Sequence, residues 1–456
     1  MTFLPEAESS ARRAPAARGR AAVVIVGGGW AGLTAAVELA LHGLKPTVLE
    51  AARQPGGRAR MTPFDDLHLD NGQHILLGAY RSLLRILQTL GVAESSVFRR
   101  LPLELVLRDA AGADVRLTAP SLPAPLNLLS GLLTATGLTL FERLAALRFV
   151  ARARRDRFEC APDVPLADYL HACGQPPALT RALWQPLCLA ALNVPVAQAS
   201  TRIFLRVIRD AFFGARRDSD FLIPCADLGA CLPRPAMDYI EQRGGAVRLG
   251  ARALALHVRG GAVAGVGLRN ATLAATHVVL AVAPQAAAQL LHGHAELAPI
   301  AAGLDGLGAQ PICTAYLRYP EHVTLGREFV GALDATVQWL FDHGRLSGRA
   351  GLIAAVISGP GPHMRLAREA LTERIVAEIA RLYPAWPRPL TIKLIREKHA
   401  TFAATPGVDA CRPGPVTPVK GLWLAGDYTA TGYPSTLEGA VRSGLVCARH
   451  VLESSQ

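Results

Sequence analysis

The sequence has no uninterrupted apolar run long enough to cross a bilayer. Half of its 456 residues are hydrophobic, yet no window of about 20 residues is free of both charged residues and helix breakers. Charged residues make up only 18% and aromatic residues 6%, and there is no collagen repeat, mucin-like stretch or disulfide framework. The composition therefore predicts a globular protein of roughly two or three domains that is not an integral membrane protein.

Lysine is also scarce, with four residues against 44 arginines. The formal charge of +12 is therefore almost entirely arginine, and it is spread along the chain without a basic stripe interleaved with aromatic residues. This distribution argues against nucleic-acid binding. We expect a cytoplasmic protein. Because a basic protein with an apolar surplus suits an anionic membrane surface, a peripheral contact on the inner face of the cytoplasmic membrane stays an open alternative.

The eight cysteines form neither a C-x-x-C pair nor a Cys/His cluster at zinc spacing. We interpret them as reduced thiols of a cytosolic protein and expect no metal site. The N-terminal segment contains arginine and alanine but lacks the continuous apolar stretch of a secretory signal. Residues 1–20 are therefore predicted to form a disordered tail.

A strand, a glycine turn and a helix are predicted near the N-terminus. The strand AAVVIV is followed by GGGWAG at 27–32 and then by an apolar helical stretch. Gly27 permits the tight turn, Gly29 lets the backbone approach a pyrophosphate, and Gly32 lets the helix pack closely on the strand. The next strand ends in Glu50, whose carboxylate can accept hydrogen bonds from ribose hydroxyls. Together these features predict a dinucleotide site.

Further segments extend this pattern. PGGRAR at 55–60 and LDNGQHILLG at 69–78 follow Glu50, although a plain NAD site has no need of a second Gly-Gly-Arg loop. GLWLAGDYTATGYPSTLEGAVRSG at 421–444 predicts a strand, a Gly-Asp turn and a helix that starts around Glu438. In order and type these segments resemble the FAD-binding amine oxidase and phytoene desaturase superfamily. The resemblance implies an α/β fold, in which a Rossmann-like FAD-binding domain of the GR2 type has an inserted α+β substrate domain.

The resemblance implies a role for each segment in holding FAD. Glu50 would hold the adenosine ribose, the GGR loop would line the pyrophosphate and flavin, and Asp427 would bond the ribityl or pyrophosphate oxygens. Backbone N–H groups near Thr436 and Leu437 would face the flavin N1 and O2, where the helix dipole favours the negative charge of reduced flavin. Ala253 would lay its strand against the adenine. The implied cofactor-binding residues are Gly27, Gly29, Trp30, Ala31, Gly32, Glu50, Gly57, Arg58, Gly72, Gln73, Ala253, Gly426, Asp427, Thr436 and Leu437.

The chain order of the superfamily implies discontinuous domains. The FAD-binding domain would comprise residues 21–100, 220–300 and 396–456, and the substrate-binding domain would comprise 101–219 and 301–395. The remaining glycine pairs lack a following helix with an acidic partner, so no second dinucleotide site is predicted. An external electron donor is therefore implied.

The middle of the chain is strongly apolar. Residues 117–141 have no charge but are broken by prolines and glycines, and residues 127–155 predict two apolar amphipathic helices that end in a basic run. These helices could pack in the core of the substrate domain, line a tunnel or dip into a membrane, and the sequence leaves the three alternatives open. Further apolar helices are predicted at 181–193 and 200–213, and a large apolar pocket over the flavin is their simplest use.

Motifs outside the flavin segments narrow the resemblance. LWQPLCLAALN, SDFLIPCADLG, QWLFD and EKHATFAATPG are similar to segments of the squalene-associated FAD-dependent desaturase group, the hydroxysqualene dehydroxylases of bacterial hopanoid biosynthesis. The resemblance implies an apolar polyisoprenoid substrate and a reductive reaction that replaces the hydroxyl of hydroxysqualene by hydrogen, assisted by a general acid. Carotenoid and phytoene desaturases share the flavin frame and the lipid-like pocket and remain the alternative.

Two residues are candidates for catalysis. His74 lies in a loop that passes near the isoalloxazine in the superfamily, so it could protonate the leaving hydroxyl, bond the flavin or only satisfy backbone groups. Tyr433 could orient an alcohol or serve packing alone. Asp70 is interpreted as structural, either fixing its loop or pairing with Arg58 or Arg60.

An amine substrate is not expected. Amine oxidases of this superfamily usually place a lysine beside flavin N5 in the middle of the chain, whereas no lysine occurs here between Lys45 and Lys393. Monoamine oxidases have a tyrosine two residues before the position of Glu438, where this chain has Thr436. Both differences argue against an amine.

Overall fold

The computed structural model describes residues 22–112 and 114–455. The tail predicted at 1–20 lies outside the described residues. No helix in these two ranges is both long enough and apolar enough to cross a membrane.

The described ranges contain twenty strands and sixteen α-helices. The strands are β1 Val23–Val26, β2 Thr47–Glu50, β3 Met61–Phe64, β4 Leu67–Asp70, β5 Leu76–Leu77, β6 Phe98–Leu101, β7 Glu104–Arg108, β8 Val115–Thr118, β9 Phe221–Pro224, β10 Ala246–Leu249, β11 Ala255–Arg259, β12 Ala262–Gly267, β13 Thr272–Ala274, β14 His277–Leu280, β15 Gln310–Arg318, β16 Phe329–Ala332, β17 Trp339–Asp342, β18 Leu352–Ser358, β19 Thr391–Thr401 and β20 Leu422–Leu424. The helices are α1 Trp30–Leu41, α2 Arg81–Thr89, α3 Glu94–Val97, α4 Leu126–Thr134, α5 Leu140–Arg155, α6 Leu166–Ala172, α7 Pro177–Leu179, α8 Gln185–Leu192, α9 Thr201–Phe212, α10 Leu228–Cys231, α11 Pro233–Gln242, α12 Pro284–Leu291, α13 Ala298–Asp305, α14 His343–Ser347, α15 Arg368–Leu382 and α16 Leu437–Ser454.

The first strand lies at the centre of a parallel sheet. The strand order is β10-β2-β1-β14-β20, and every neighbouring pair is parallel. All four residues of β1 are buried, as expected for a strand whose two faces are both covered. The five strands come from three separated stretches of the chain. This arrangement confirms the predicted Rossmann-like α/β fold.

Helix α1, which follows β1, packs closely against the C-terminal helix α16. A Cβ added to Gly444 would lie 2.4 Å from the carbonyl oxygen of Ala31, so only glycine permits this approach of the two helices. Val37 and Val441 belong to the apolar core that the helices share. The packing joins the two ends of the chain, which contain the predicted flavin segments.

The second large sheet is mixed, with the order β19-β15-β18-β17-β16-β7-β8. Its neighbours are antiparallel except for β16 and β7. Strand β18 is buried along its whole length: Ala354 and Val356 belong to the central core, and Ile353 and Ile357 belong to a core formed with α15. Because side chains alternate along a strand, one continuous apolar run supplies both cores.

The apolar helices predicted in the middle of the chain are confirmed as α4, α5, α8 and α9. Helix α5 begins at a capping box in which the Thr139 hydroxyl accepts from the Glu142 N–H and the Glu142 carboxylate accepts from the Thr139 N–H. The helix predicted at 181–193 is not uniform, because a π-helical turn at Thr180–Trp184 precedes α8. Pro186 has no N–H to donate to the preceding turn, which accounts for the wider winding there.

Three predicted domain boundaries fall inside regular structure. The boundary between 100 and 101 lies within β6, which pairs with β9 from Phe98 to Leu101. The boundary between 395 and 396 lies within β19, which pairs with β15 from Thr391 to Thr401 and so belongs to the mixed sheet along its length. The boundary between 300 and 301 lies within α13. The division into two domains stays a prediction.

Candidate active site

The glycine turn after β1 has no room for larger side chains at two positions. A Cβ added to Gly27 would lie 2.3 Å from the carbonyl oxygen of Ala281, and one added to Gly32 would lie 2.0 Å from that of Gly27. Gly29 differs, because the nearest atom to an added Cβ is the Cα of Gly57 at 3.9 Å. Gly27 and Gly32 therefore serve close packing, whereas Gly29 leaves open space in front of α1.

The N-terminus of α1 has no side-chain cap. Gly29 is the N-cap residue, and within the described part of the chain no side chain accepts a hydrogen bond at this cap. No acidic residue occupies the first helical turn either. Free N–H groups and the positive end of the helix dipole favour an anion, so this end of the helix fits a pyrophosphate.

Glu50 is held at the end of β2 by two backbone groups. Its Oε2 accepts from the Gly28 N–H at 2.8 Å and its Oε1 accepts from the Ala52 N–H at 2.7 Å. Each carboxylate oxygen can accept a second hydrogen bond, so the side chain fits a ribose diol. The Ala251 N–H donates to the carbonyl oxygen of Glu50 at 2.8 Å, which brings the third predicted segment alongside.

Arg58 ties the second glycine loop to the rest of the site. Its guanidinium forms an ion pair with Asp427 and donates to the carbonyl oxygen of Ala400 at 2.7 Å. Ser435 donates its hydroxyl to the other carboxylate oxygen of Asp427. Asp427 therefore fixes the loop in addition to lining the site, a role that the sequence did not indicate.

Asp70 pairs with neither predicted arginine: Arg58 pairs with Asp427, and the guanidinium of Arg60 donates to the carbonyl oxygen of Gly57. The Oδ1 of Asp70 accepts from the Leu228 N–H at 3.0 Å, and its carbonyl oxygen accepts from the Tyr316 hydroxyl at 2.8 Å. Burial raises the pKa of Asp70 to about 7. Of the two structural roles that the sequence left open for Asp70, fixing the loop is confirmed and pairing with an arginine is not.

Helix α16 starts where the sequence predicts. Thr436 is its N-cap, and the hydroxyl accepts from the Gly439 N–H at 3.0 Å. Glu438 is fully buried and accepts from the N–H groups of Ser82 at 3.1 Å and Leu83 at 2.9 Å. These bonds satisfy two free donors at the start of α2, so Glu438 locks α16 to α2.

One cavity of about 610 Å³ connects these segments. Every predicted cofactor-binding residue lines its wall except Gly32 and Ala253. Gly32 packs behind the turn, as predicted, and the contact of Ala253 with an adenine stays a prediction. The two catalytic candidates, His74 and Tyr433, also line the cavity.

The same cavity continues between the middle helices and the mixed sheet. Its wall there is largely aliphatic and aromatic, and none of the described residues that line it is a lysine. The apolar residues include Leu105, Leu117, Leu128, Leu132, Phe149, Val150, Trp184, Phe204, Val207, Ile208, Phe329, Trp339 and Phe341. We call this part the apolar arm. The inner faces of α4 and α5 therefore line a tunnel, one of the three alternatives that the sequence left open.

His74 has a defined tautomer. Its Nδ1 lies 3.0 Å from the carbonyl oxygen of Gly72, which can only accept, so the proton is assigned to Nδ1 and Nε2 is left as an acceptor. Burial lowers the pKa of His74, so the ring is neutral at pH 7. In this form Nε2 of His74 can accept a hydrogen bond, and its role in catalysis stays a prediction.

Tyr433 forms a pair with Asp210, a residue that sequence reasoning missed. The phenol donates to the Asp210 carboxylate, and the guanidinium of Arg442 lies 4.0 Å from the ring centroid. Burial raises the pKa of Tyr433, so the phenol keeps its proton at neutral pH. Asp210 also accepts from Arg209 at 2.9 Å and lines the cavity beside Val207. A carboxylate among the apolar residues of IFLRVIRDAFF was the available signal.

Known proteins share this architecture. Residues 30–452 match the family model described as flavin containing amine oxidoreductase. A hydroxysqualene dehydroxylase from Rhodopseudomonas palustris is 32% identical over 95% of this chain and 99% of its own length, and a zeta-carotene desaturase from Arabidopsis thaliana is 23% identical over 95% of this chain and 86% of its own. The crystal structure of an oxidoreductase from Methanosarcina mazei has a TM-score of 0.75 at 16% identity, covering 94% of this chain and 99% of that protein. The chain therefore belongs to the flavin-containing amine oxidoreductase family and is a flavin-dependent oxidoreductase.

Proposed function

We propose that the protein is an FAD-dependent hydroxysqualene dehydroxylase, which converts hydroxysqualene to squalene in hopanoid or other triterpenoid biosynthesis. One observation supports this most directly: a single cavity has glycine loops suited to a dinucleotide at one end and an apolar arm at the other. A polyisoprenoid alcohol has one polar group on an otherwise apolar molecule, which matches such a cavity. The relationship to the Rhodopseudomonas enzyme supports the same substrate.

The residues present fit FAD. The open N-terminus of α1 at Gly29 would bind the pyrophosphate, Glu50 would bind the adenosine ribose, and the N–H groups of Thr436 and Leu437 would face the flavin ring. The positive end of the α16 dipole favours negative charge there. When bound, the flavin supplies a hydride to the carbon that loses the hydroxyl.

The departing hydroxyl needs a proton to leave as water. We assign that proton to the phenol of Tyr433, which its hydrogen bond to the Asp210 carboxylate holds in place. The phenolate left behind takes a proton back from solvent after the products leave. Neutral His74 accepts from the substrate hydroxyl through Nε2 and orients it. Each turnover thus adds one hydride and one proton to the alcohol and releases squalene and water.

The test is an anaerobic single turnover. The purified flavoprotein is photoreduced and mixed with hydroxysqualene, flavin reoxidation is followed by absorbance, and the lipid is extracted for mass spectrometry. We expect reoxidation with stoichiometric squalene. Flavin that stays reduced, with no squalene formed, would overturn the proposal.

The relationship to the carotene desaturase supports a second candidate, in which oxidised flavin takes a hydride from a polyisoprenoid such as phytoene. The apolar arm accommodates either substrate class. The two reactions run in opposite redox directions. Bleaching of the oxidised enzyme by phytoene, together with inert reduced enzyme, would favour the desaturase.

The electron donor and the location complete the proposal. We propose an external donor, because the sequence has no second dinucleotide-binding motif. We further propose a cytoplasmic protein that works at the inner face of the cytoplasmic membrane, where an apolar substrate accumulates.

A further inference from the structure

Exposed apolar side chains cluster on one part of the surface. The described residues include twelve exposed large hydrophobic side chains, and six of them lie within 122–144. Single exposed hydrophobics are ordinary, but a cluster marks an interaction surface. We call the surface formed by these six side chains the hairpin face: Leu122, Leu126, Leu133, Leu140, Phe141 and Leu144.

The hairpin face belongs to a fixed structure. The guanidinium of Arg143 donates to the carbonyl oxygens of Leu138 at 3.0 Å and Leu133 at 3.1 Å, which holds the end of α4 against the start of α5. The capping box at Thr139 holds the first turn of α5. Leu140 is nevertheless 66% exposed. Since fixed apolar surface is unfavourable in water, an apolar partner would cover it.

The charges beside the hairpin face have one dominant sign. Residues 121–156 contain five arginines and two acidic residues. The carboxylate of Glu142 is used in the capping box, and Asp156 pairs with Arg152 and Arg155. Arg152, Arg154 and Arg155 are exposed at the C-terminal end of α5. Leucine and phenylalanine flanked by arginine match the apolar interior and anionic headgroups of a phospholipid bilayer.

A second cavity, of about 380 Å³, lies between α4 and α5. Leu129 lines it from α4, and Leu147 and Ala151 line it from α5. Val150 lines both this cavity and the apolar arm, so one side chain contributes to both walls. Arg154 also lines the second cavity. The basic C-terminal end of α5 therefore borders the gap between α4 and α5.

We propose that the hairpin face docks on an anionic phospholipid bilayer and that apolar substrate passes from the bilayer into the apolar arm between α4 and α5, at Val150. The docking proposal rests only on the exposed side chains of the hairpin face and on the arginines beside it. The passage rests on the proposed function, because it assumes a membrane-dissolved substrate for the apolar arm.

Docking is tested by co-sedimentation of the full-length holoprotein with vesicles of phosphatidylcholine and phosphatidylglycerol. The Leu140→Glu/Phe141→Glu variant is expected to lose vesicle binding by about tenfold or more, because two inserted apolar side chains become charged. Leu254→Glu/Leu390→Glu is the matched control, since both leucines are exposed elsewhere, at 56% and 66%. The control should bind as the wild type does. Equal losses in both variants, or none in the first, would overturn the docking proposal.

The contribution of charge is tested with the same vesicles. Binding of the wild type should fall when phosphatidylglycerol is omitted, and Arg152→Gln/Arg154→Gln/Arg155→Gln should reproduce that fall on anionic vesicles. If vesicle binding changes neither when phosphatidylglycerol is omitted nor when these arginines are replaced, the assignment to an anionic bilayer is refuted. That result would favour a protein partner for the hairpin face. Flavin absorbance of each variant confirms that the holoprotein is intact.

The passage is tested by following squalene transfer from vesicles into the protein, which requires no turnover. Ala151→Trp places a large side chain in the second cavity without altering a residue of the apolar arm. Transfer should slow by about tenfold while vesicle binding is kept. If Ala151→Trp takes up squalene at the wild-type rate, the proposed route between α4 and α5 is wrong. Because docking and transfer are measured without catalysis, failure of the proposed reaction leaves both results interpretable.

Discussion

The two ends of the cavity are built from different chemical groups. We call the end lined by the glycine loops, where we propose that the flavin binds, the flavin end. Its wall depends on backbone atoms: a Cβ added to Gly27, which lines it, would lie 2.3 Å from the carbonyl oxygen of Ala281. In the apolar arm the wall consists of side chains such as Leu132 and Val207. A backbone contact tolerates no added atom, whereas aliphatic side chains of similar volume replace one another at small cost. Substitutions should therefore have steep effects at the flavin end and graded effects in the arm.

The largest effect is expected from Gly32→Ala. The new methyl group meets the Gly27 carbonyl in a turn that cannot widen, so flavin should be lost and the free energy of unfolding should fall by about 3 kcal/mol. Gly29→Ala has space in the protein and should lower only the affinity for FAD. Gly293→Ala, where an added Cβ meets nothing within 4 Å, is the control. Flavin titration measures the FAD affinity of each variant, and denaturant unfolding measures its stability. A Gly32→Ala protein with wild-type affinity and stability would contradict the steep effect expected at the flavin end.

The next effect concerns the polar pair that faces the arm. Tyr433→Phe and Asp210→Asn should each lower turnover by about a hundredfold and leave flavin bound, because the first removes the proton donor and the second removes the carboxylate that holds that donor in place. Tyr239→Phe is a matched control, since Arg243 lies over the Tyr239 ring at 3.5 Å as Arg442 does over Tyr433. His74→Ala should have the smaller effect, on the order of tenfold, because its role is orientation. Full turnover in Tyr433→Phe would assign that residue to packing.

A graded effect is expected in the arm. Val207→Ala removes apolar contact from the wall and should weaken squalene binding by about fivefold, with flavin affinity and spectrum unchanged. Val446→Ala, at an exposed position on α16, should change neither. Squalene binding measured by flavin absorbance changes checks the pair. Loss of flavin in the arm variant would show that the two ends are not independent.

The smallest effect concerns Asp70, behind the flavin end. In the folded protein the pKa of Asp70 is about 7 against an ordinary 3.8, so its ionisation lowers stability as pH rises from about 4 to 7. Asp70→Asn keeps an acceptor for the Leu228 N–H and removes that ionisation. It should raise the free energy of unfolding at pH 8 by on the order of 1 kcal/mol and hardly change it at pH 4. Unfolding at both pH values tests this, and destabilisation at pH 8 would contradict it.

Sequence reasoning predicted most of the residues that line the flavin end of the cavity, because its motifs are local. The turn at Gly27 and Gly29 and the helix start at Thr436 each depend on residues close together in the chain, and 3.6-residue periodicity identified the apolar helices. Asp210 was missed because its partner Tyr433 lies 223 residues away. The possible pairing of Asp70 with Arg58 is absent for the same reason. Arg58 instead pairs with Asp427, which lies 369 residues further along the chain.

By itself, the sequence determined the glycine turn, the acceptor at Glu50, the uncapped start of α1 and the apolar character of α4 and α5, because short-range sterics and hydrogen bonding decide such features. Only the tertiary structure decided which faces of α4 and α5 line the arm and which remain exposed. The tertiary structure also decided that Asp210 accepts from Tyr433 and that Asp427 pairs with Arg58. Such contacts join residues hundreds of positions apart, and they exist only when both sheets and the helices between them have packed together.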